Sequence, residues 1–210
     1  MPSLKSRLIL VTDRYQTMGR PLVSVLAQAT KAGSVSIQVR ERDLPSKELL
    51  ALADQIRQIT GPLEGQLLIN DRIDIALSLE GVGVHLRSDS LPVTVARRVV
   101  GGDRLLGVSV HSVSEALQAE AQGADYIVFG PIYETPSKRM YGRPLGLSAL
   151  EEAAKAVRVP IVGIGGVTAA RAHDVRAAGA FGVAVITAVL GAENPEAATR
   201  ALLDALAPTS

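Results

Sequence analysis

The sequence predicts an α/β fold, a (β/α)8 TIM barrel built from residues 1–210 as a single domain, and three observations carry that reading. Eight short apolar runs rich in β-branched residues recur along the chain, helical patterns separate them, and most runs end in a polar residue. The runs are RLILVTD, SVSIQVRE, GQLLIND, GVGVHL, LLGVSVH, DYIVFG, VPIVGIGG and GVAVIT. Strand and helix alternating eight times require parallel pairing through right-handed crossovers, and at 210 residues such units close most economically into a barrel. An open doubly wound sheet is the alternative arrangement of the same units.

Taken in order, the first run, Leu8 to Val11, is broken by Thr12 and Asp13. It is too short for the core of a signal peptide. Leu22, Val25, Leu26 and Ala29, and after the second run Leu49, Leu52, Ala53 and Ile56, repeat at helical spacing, so each helix lays an apolar face on the sheet. Asn70 and Asp71 either cap a helix over Asp71–Leu77 or serve as ligands. His85, inside an apolar run, reads as a hydrogen-bonded core histidine. Behind His111, Ser112 and Glu115 form a capping box, and Gly123 is placed to end that helix. Pro131 to Leu147 is long and rich in proline, glycine and charge, which suits an active-site loop. Thr168 and Gly179 bracket a further helix, on which His173 lies among Arg171, Asp174 and Arg176 as a surface residue.

Composition removes several classes of function. With 22 basic and 21 acidic residues there is no net field to draw nucleic acid or anionic lipid, so any anion must be held locally. No cysteine is present, which excludes disulfides and thiolate chemistry. Ala177 to Ala192 is uncharged, but it is shorter than the roughly 20 residues that span a bilayer. A cytoplasmic protein with no nucleic-acid or membrane partner is expected. Self-association is open, because the face of Val175 and Ala178 suits packing inward or against a second subunit.

In a barrel the site lies at the C-terminal ends of the strands. That filter collects Thr12, Asp13, Gln38, Arg40, Arg42, Asn70, Asp71, Ser109, His111, Thr135, Ser137 and Lys138. Gly165 and Gly166 stand between a strand and a helix, and the last strand ends in Ile186 and Thr187. Their amides suit a phosphate cup.

QVRERDL, INDRIDIAL, GVGVHL, GVSVHSVSEA, GADYIVFGPIYETPSK and PIVGIGGVTAARAHDVRAAGAFGVAVI, in this order, resemble the thiamine phosphate synthase and TenI-type family across nearly the whole chain. The resemblance implies a (β/α)8 barrel acting in thiamine biosynthesis by one of two reactions. The synthase branch joins an aminopyrimidine pyrophosphate to a thiazole phosphate with Mg²⁺; the tautomerase branch aromatises a thiazole phosphate carboxylate without metal. Three departures from the synthase pattern place the chain nearer the TenI-type branch. Ser90 stands at the metal aspartate, with Arg87 and Ser88 in place of Gly-Gln; Arg42 stands at the usual lysine; Glu134 stands at the usual proline.

The expected function is therefore a thiazole tautomerase, an isomerase with no cofactor. His111 moves the proton, since histidine as a residue type titrates near neutrality. Gln38, Arg40, Arg42, Asn70, Ser109, Thr135, Ser137 and Lys138 bind the small thiazole phosphate, with Gly165, Gly166, Ile186 and Thr187 on its phosphate. Two alternatives stand beside it: the synthase, with Asp71 and Asp89 on Mg²⁺, and a non-catalytic barrel that binds the same ligands.

Overall fold

The computed structural model describes residues 2–60, 65–135 and 143–207. Eight strands, β1 (Leu8–Val11), β2 (Ser36–Val39), β3 (Leu67–Asn70), β4 (Gly83–Leu86), β5 (Leu106–Val110), β6 (Tyr126–Phe129), β7 (Ile161–Ile164) and β8 (Gly182–Val185), pair in parallel in sequence order. β8 closes the ring on β1 through Leu8↔Val183 and Leu10↔Val185. The barrel reading is therefore correct and the open-sheet alternative is not. Around it lie α1 (Leu22–Ala29), α2 (Ser46–Thr60), α3 (Ile73–Leu77), α4 (Val93–Val100), α5 (Val113–Ala121), α6 (Gly146–Ala156), α7 (Ala169–Ala177), α8 (Thr187–Leu190) and α9 (Pro195–Ala205). Among the described residues no helix is long and apolar enough to cross a membrane.

The helical spacing read from the sequence corresponds to burial: Leu22, Val25, Leu26 and Ala29 are all buried on α1, as are Leu49, Ala53 and Ile56 on α2. Val175 also turns inward, fully buried, so this part of the α7 face packs on the barrel. One local expectation needs correcting. α3 begins at Ile73 and its N-cap position is Arg72, so neither Asn70 nor Asp71 caps it. Thr168 and Gly179 bracket α7 as expected, with Thr168 at the N-cap position but without a side-chain capping bond. At α5 the Ser112 hydroxyl accepts from Glu115 N–H at 3.1 Å, while the Glu115 carboxylate reaches one residue beyond the usual box, accepting from His111 N–H at 2.7 Å.

Alternation along the strands gives the barrel interior two characters. β1, β6, β7 and β8 contribute Ile9, Val11, Val128, Val162 and Ala184 to one apolar cluster, joined by Leu68 and the Tyr126 ring. On the same parity β2 to β5 contribute Ser36, Gln38, Asn70, His85 and Ser109. One side of the interior is thus dry, and on the other Gln38 bonds Asn70 and His85 bonds Ser109, with the Ser36 hydroxyl buried and without a partner among the described residues. Gly107 makes room for the Tyr126 ring: a Cβ at 107 would sit 2.0 Å from Tyr126 Cζ.

Candidate active site

The polar wall is a chain of side chains climbing to the C-terminal mouth. Gln38 Nε2 donates to Asn70 Oδ1 at 3.0 Å, and Asn70 Nδ2 donates to Asp71 Oδ2 at 3.2 Å. Asp71 holds a left-handed backbone with φ of 58°, a conformation that aspartate tolerates better than most residues. There its Oδ1 accepts from Arg87 N–H at 3.0 Å and its Oδ2 lies 2.5 Å from Arg87 Nε. Arg87 Nε is also 3.3 Å from Asp89 Oδ1, so two carboxylates share one guanidinium just beyond β4.

Arg40 and Arg42 follow β2. Arg40 N–H donates to the buried Thr12 hydroxyl at 2.8 Å, which ties the end of β2 to that of β1. Among the described residues neither the Arg40 nor the Arg42 side chain has a hydrogen bond or ion pair. Burial, and then the charge of Arg42, push the Arg40 guanidinium below its ordinary value; the charges of Asp13 and Glu41 offset part of this and that of Arg87 adds to it. Three arginines thus act on one another at the ends of β2 and β4, a local demand for an anion in a chain of nearly zero net charge. The intervening Glu41 offsets that demand through its charge but makes no ion pair with Arg40 or Arg42. It is buried and turned to Arg14, whose N–H and Nη1 reach its carboxylate at 3.2 and 3.0 Å. Arg14 also grips Asp43 at 2.6 Å and holds its carboxyl well below the usual range. This brace fixes the loop that carries both free arginines. Asp13, collected among the strand-end site candidates or else read as a strand end, caps the turn beginning at Arg14 by accepting from Tyr15 N–H at 3.1 Å.

The two histidines near the axis differ. His111 is half-buried at the end of β5, and its Nδ1 contacts the Gly130 carbonyl, which fixes the ring against the end of β6. With the proton on Nδ1, Nε2 is an acceptor. His85 is buried between Tyr126 Oη, 2.8 Å from Nδ1, and Ser109 Oγ, 2.9 Å from Nε2. This is the structural histidine expected from the sequence, and it orients Ser109. Burial pushes His85 down to about 4, only partly offset by the charge of Asp71. The unfolded chain therefore takes up a proton near pH 6.5 that the folded chain refuses until about pH 4. Stability falls as pH drops through that window, by about 3 kcal/mol from this group. Denaturant titrations at pH 7 and 4.5 are expected to show this loss, and a His85→Gln variant to lack most of it. An unchanged pH slope in the variant would show that His85 is not buried neutral.

Across the mouth, Gly165 and Gly166 follow β7, and Ile186 and Thr187 follow the adjacent β8. The structure brings these four residues together as expected. Both glycines have positive φ, and a Cβ at Gly165 would lie 2.6 Å from Pro131 Cβ, so close packing of the loop after β6 also demands them. Neither α7 nor α8 receives a side-chain cap at its N-terminus. Helix-start amides without a capping side chain beside bare glycine backbone are what an anion takes. Thr135 lies at the described edge of the loop after β6, while Ser137 and Lys138 fall outside the described residues. His173 is exposed on α7, as expected. A pocket of about 320 Å³ between α6 and the start of β7 is at the opposite end of the barrel and plays no part in this constellation.

The divalent ion that the synthase resemblance implies does not fit these donors. Mg²⁺ takes hard oxygen ligands, commonly one or two carboxylates with phosphate oxygens and water. Here Asp71 and Asp89 are held by Arg87, and Ser90 brings a neutral hydroxyl. Among the described residues no group of three or more His, Cys, Asp or Glu is placed to share an ion.

Comparison with known proteins tests the choice of branch. The family model described as thiamine monophosphate synthase matches residues 8–189. A thiamine-phosphate synthase of Roseiflexus castenholzii is 44% identical over 206 residues, which are 98% of this chain and 90% of the relative. A thiamine-phosphate synthase of Moorella thermoacetica is 45% identical over 184 residues, 88% of each chain. Among solved structures, thiamine phosphate pyrophosphorylase from Pyrococcus furiosus superposes with a TM-score of 0.85 at 32% identity, covering 95% of both chains. The expectation of a tautomerase is thereby overturned, since these relatives carry the synthase name. Ser90, Arg42 and Glu134 do not mark the TenI-type branch, and an isomerase role for His111 loses its basis. What the match over the eight strands and the shared length establish is that the chain belongs to the thiamine monophosphate synthase family.

Proposed function

We propose that the chain is a thiamine-phosphate synthase, a transferase that joins the methylene carbon of an aminopyrimidine diphosphate to the ring nitrogen of a thiazole phosphate. The carbon–oxygen bond to the diphosphate breaks and its electron pair leaves with pyrophosphate. The nitrogen lone pair forms the new carbon–nitrogen bond, and the thiazole becomes a cation. No proton has to move. The protein's tasks are to align two phosphorylated molecules and to take up the charge that builds on the leaving group.

One observation carries this reading: the C-terminal ends of the strands offer two separate places suited to an anion. Arg40 and Arg42 lie on the β2–β4 side, and Gly165, Gly166, Ile186 and Thr187 on the β7–β8 side. A reactant with a single phosphate uses one of them; a diphosphate and a monophosphate use both. The relatives' names support the same assignment. Gln38, Asn70 and Ser109, held by Asp71 and His85, supply hydrogen bonds to the heterocycles, with Thr135 at the edge of the loop after β6. His111 lines the mouth as a fixed acceptor and not as a proton carrier.

The test supplies both phosphorylated heterocycles and follows thiamine phosphate by mass spectrometry alongside pyrophosphate release. Equal amounts of the two products are expected. In the same assay His111→Ala retains turnover within about tenfold, far from the loss that removal of an obligatory acid or base causes. Absence of both products at saturating substrates would discard the reading.

A further inference from the structure

Arg87 is the one arginine of the mouth cluster that has carboxylate partners, and those partners hold it poorly. Its Nε lies 2.5 Å from Asp71 Oδ2, yet the N–H is aligned with no acceptor, and the atom is buried. The contact is one of charge without a well-directed hydrogen bond. A second carboxylate, Asp89, competes for the same Nε from 3.3 Å and is itself largely exposed. Arg87 also acts electrostatically on Arg40, which has no side-chain partner among the described residues. The guanidinium is therefore parked at the rim of a cationic cluster, its Nε buried and its side chain partly exposed, and short of the bidentate acceptor it favours. Diphosphate oxygens are such acceptors.

We infer that Arg87 is a further diphosphate-binding residue, held ready by Asp71 and Asp89, and that it brings to this mouth the positive charge a divalent cation would otherwise supply. The inference deepens the proposed coupling reaction, on which it rests only for the source of the diphosphate. It accounts for a mouth with a neutral hydroxyl at Ser90 and a guanidinium at Arg87: against an aspartate and a glycine, the two side chains together raise the local charge by two, which is the charge of a divalent cation. Arginine suits the exchange because it cannot be deprotonated in the working pH range and offers parallel donors to two oxygens. Asp71 then orients a side chain and does not ligate a metal.

The experiment is calorimetric titration of inorganic pyrophosphate into the full chain, in EDTA and in millimolar Mg²⁺, for the wild type, Arg87→Gly and Arg87→Lys. The wild type is expected to bind pyrophosphate in EDTA and to gain less than about tenfold from Mg²⁺. Arg87→Gly loses about tenfold or more in EDTA and recovers part of it with Mg²⁺, because Asp71 is freed. Arg87→Lys falls between, which separates charge from mere loss of packing; thermal unfolding of each variant confirms its fold. Pyrophosphate binding by the wild type only with Mg²⁺, or an Arg87→Gly variant that binds as the wild type does in EDTA, would overturn the inference. Either result leaves the coupling reaction standing if thiamine phosphate is still formed. Metal-free pyrophosphate binding that depends on Arg87, without coupling, would retain the site and discard the reaction.

Discussion

Gly107→Ala is expected to destabilise the protein by about 4 kcal/mol, enough to leave much of it unfolded. The added methyl would overlap the Tyr126 ring, 2.0 Å from Cζ and 2.5 Å from Oη. That ring is fully buried in a close-packed interior and has no flexible end to swing away. Moving it breaks the Tyr126–His85 contact and loosens His85 from Ser109, so overpacking is compounded by buried polar groups without partners. Gly102→Ala is the matched control: a Cβ there meets nothing within 4 Å, and stability should change by less than about 0.5 kcal/mol. Denaturant midpoints of the two variants decide the matter. Similar midpoints would mean that the ring does not fill the space over β5.

Arg40→Ala is expected to lower kcat/KM for coupling by about 10² to 10³, the range seen when one fixed donor to developing charge is removed. The reason lies in its surroundings. Thr12 fixes its backbone, the brace through Arg14 and Glu41 fixes its loop, and its guanidinium meets no carboxylate among the described residues. Charge that is half-buried and without an ion pair in the free protein costs stability, and an incoming diphosphate offsets that cost. The same variant is therefore expected to be no less stable than the wild type while being far less active. Pyrophosphate-release kinetics beside thermal unfolding read both. A loss of activity below threefold would place the leaving group elsewhere in the mouth.

The barrel was legible because its signal is repeated. Each of the eight apolar runs is ambiguous alone, but their order and the interleaved helical faces admit few closures, and the side chains of α1 and α2 face the barrel as their spacing required. The site was half legible. Position at a strand's C-terminal end picks out Gln38, Asn70, Ser109, His111 and the glycines after β7 as candidates, and the structure places them around that end of the barrel. What spacing could not show was which charges would cancel. Glu41 and Arg42 are neighbours in sequence, yet one is buried on Arg14 and the other has no side-chain partner among the described residues. Arg87 read as a defect in a motif, because its partner Asp71 stands 16 residues earlier and meets it only through the adjacency of β3 and β4. The choice of branch rested on single side chains, Ser90 with Arg87 and Ser88, Arg42 and Glu134, and the relatives' names show that these do not decide it.

The pairing of β8 with β1 also bears on how the chain is made. Every strand from β2 to β7 finds a neighbour soon after synthesis, but Leu8 waits for Val183 and Arg7 for the Leu206 carbonyl, which is 199 positions away. At ribosomal speeds of about 5–20 residues per second, the first edge stays unpaired for roughly ten seconds or more. During that interval it is a template on which a second nascent chain can zip. The seam is thus the barrel's point of greatest exposure at birth, and the late contacts that seal it weigh on folding rate more than on final stability.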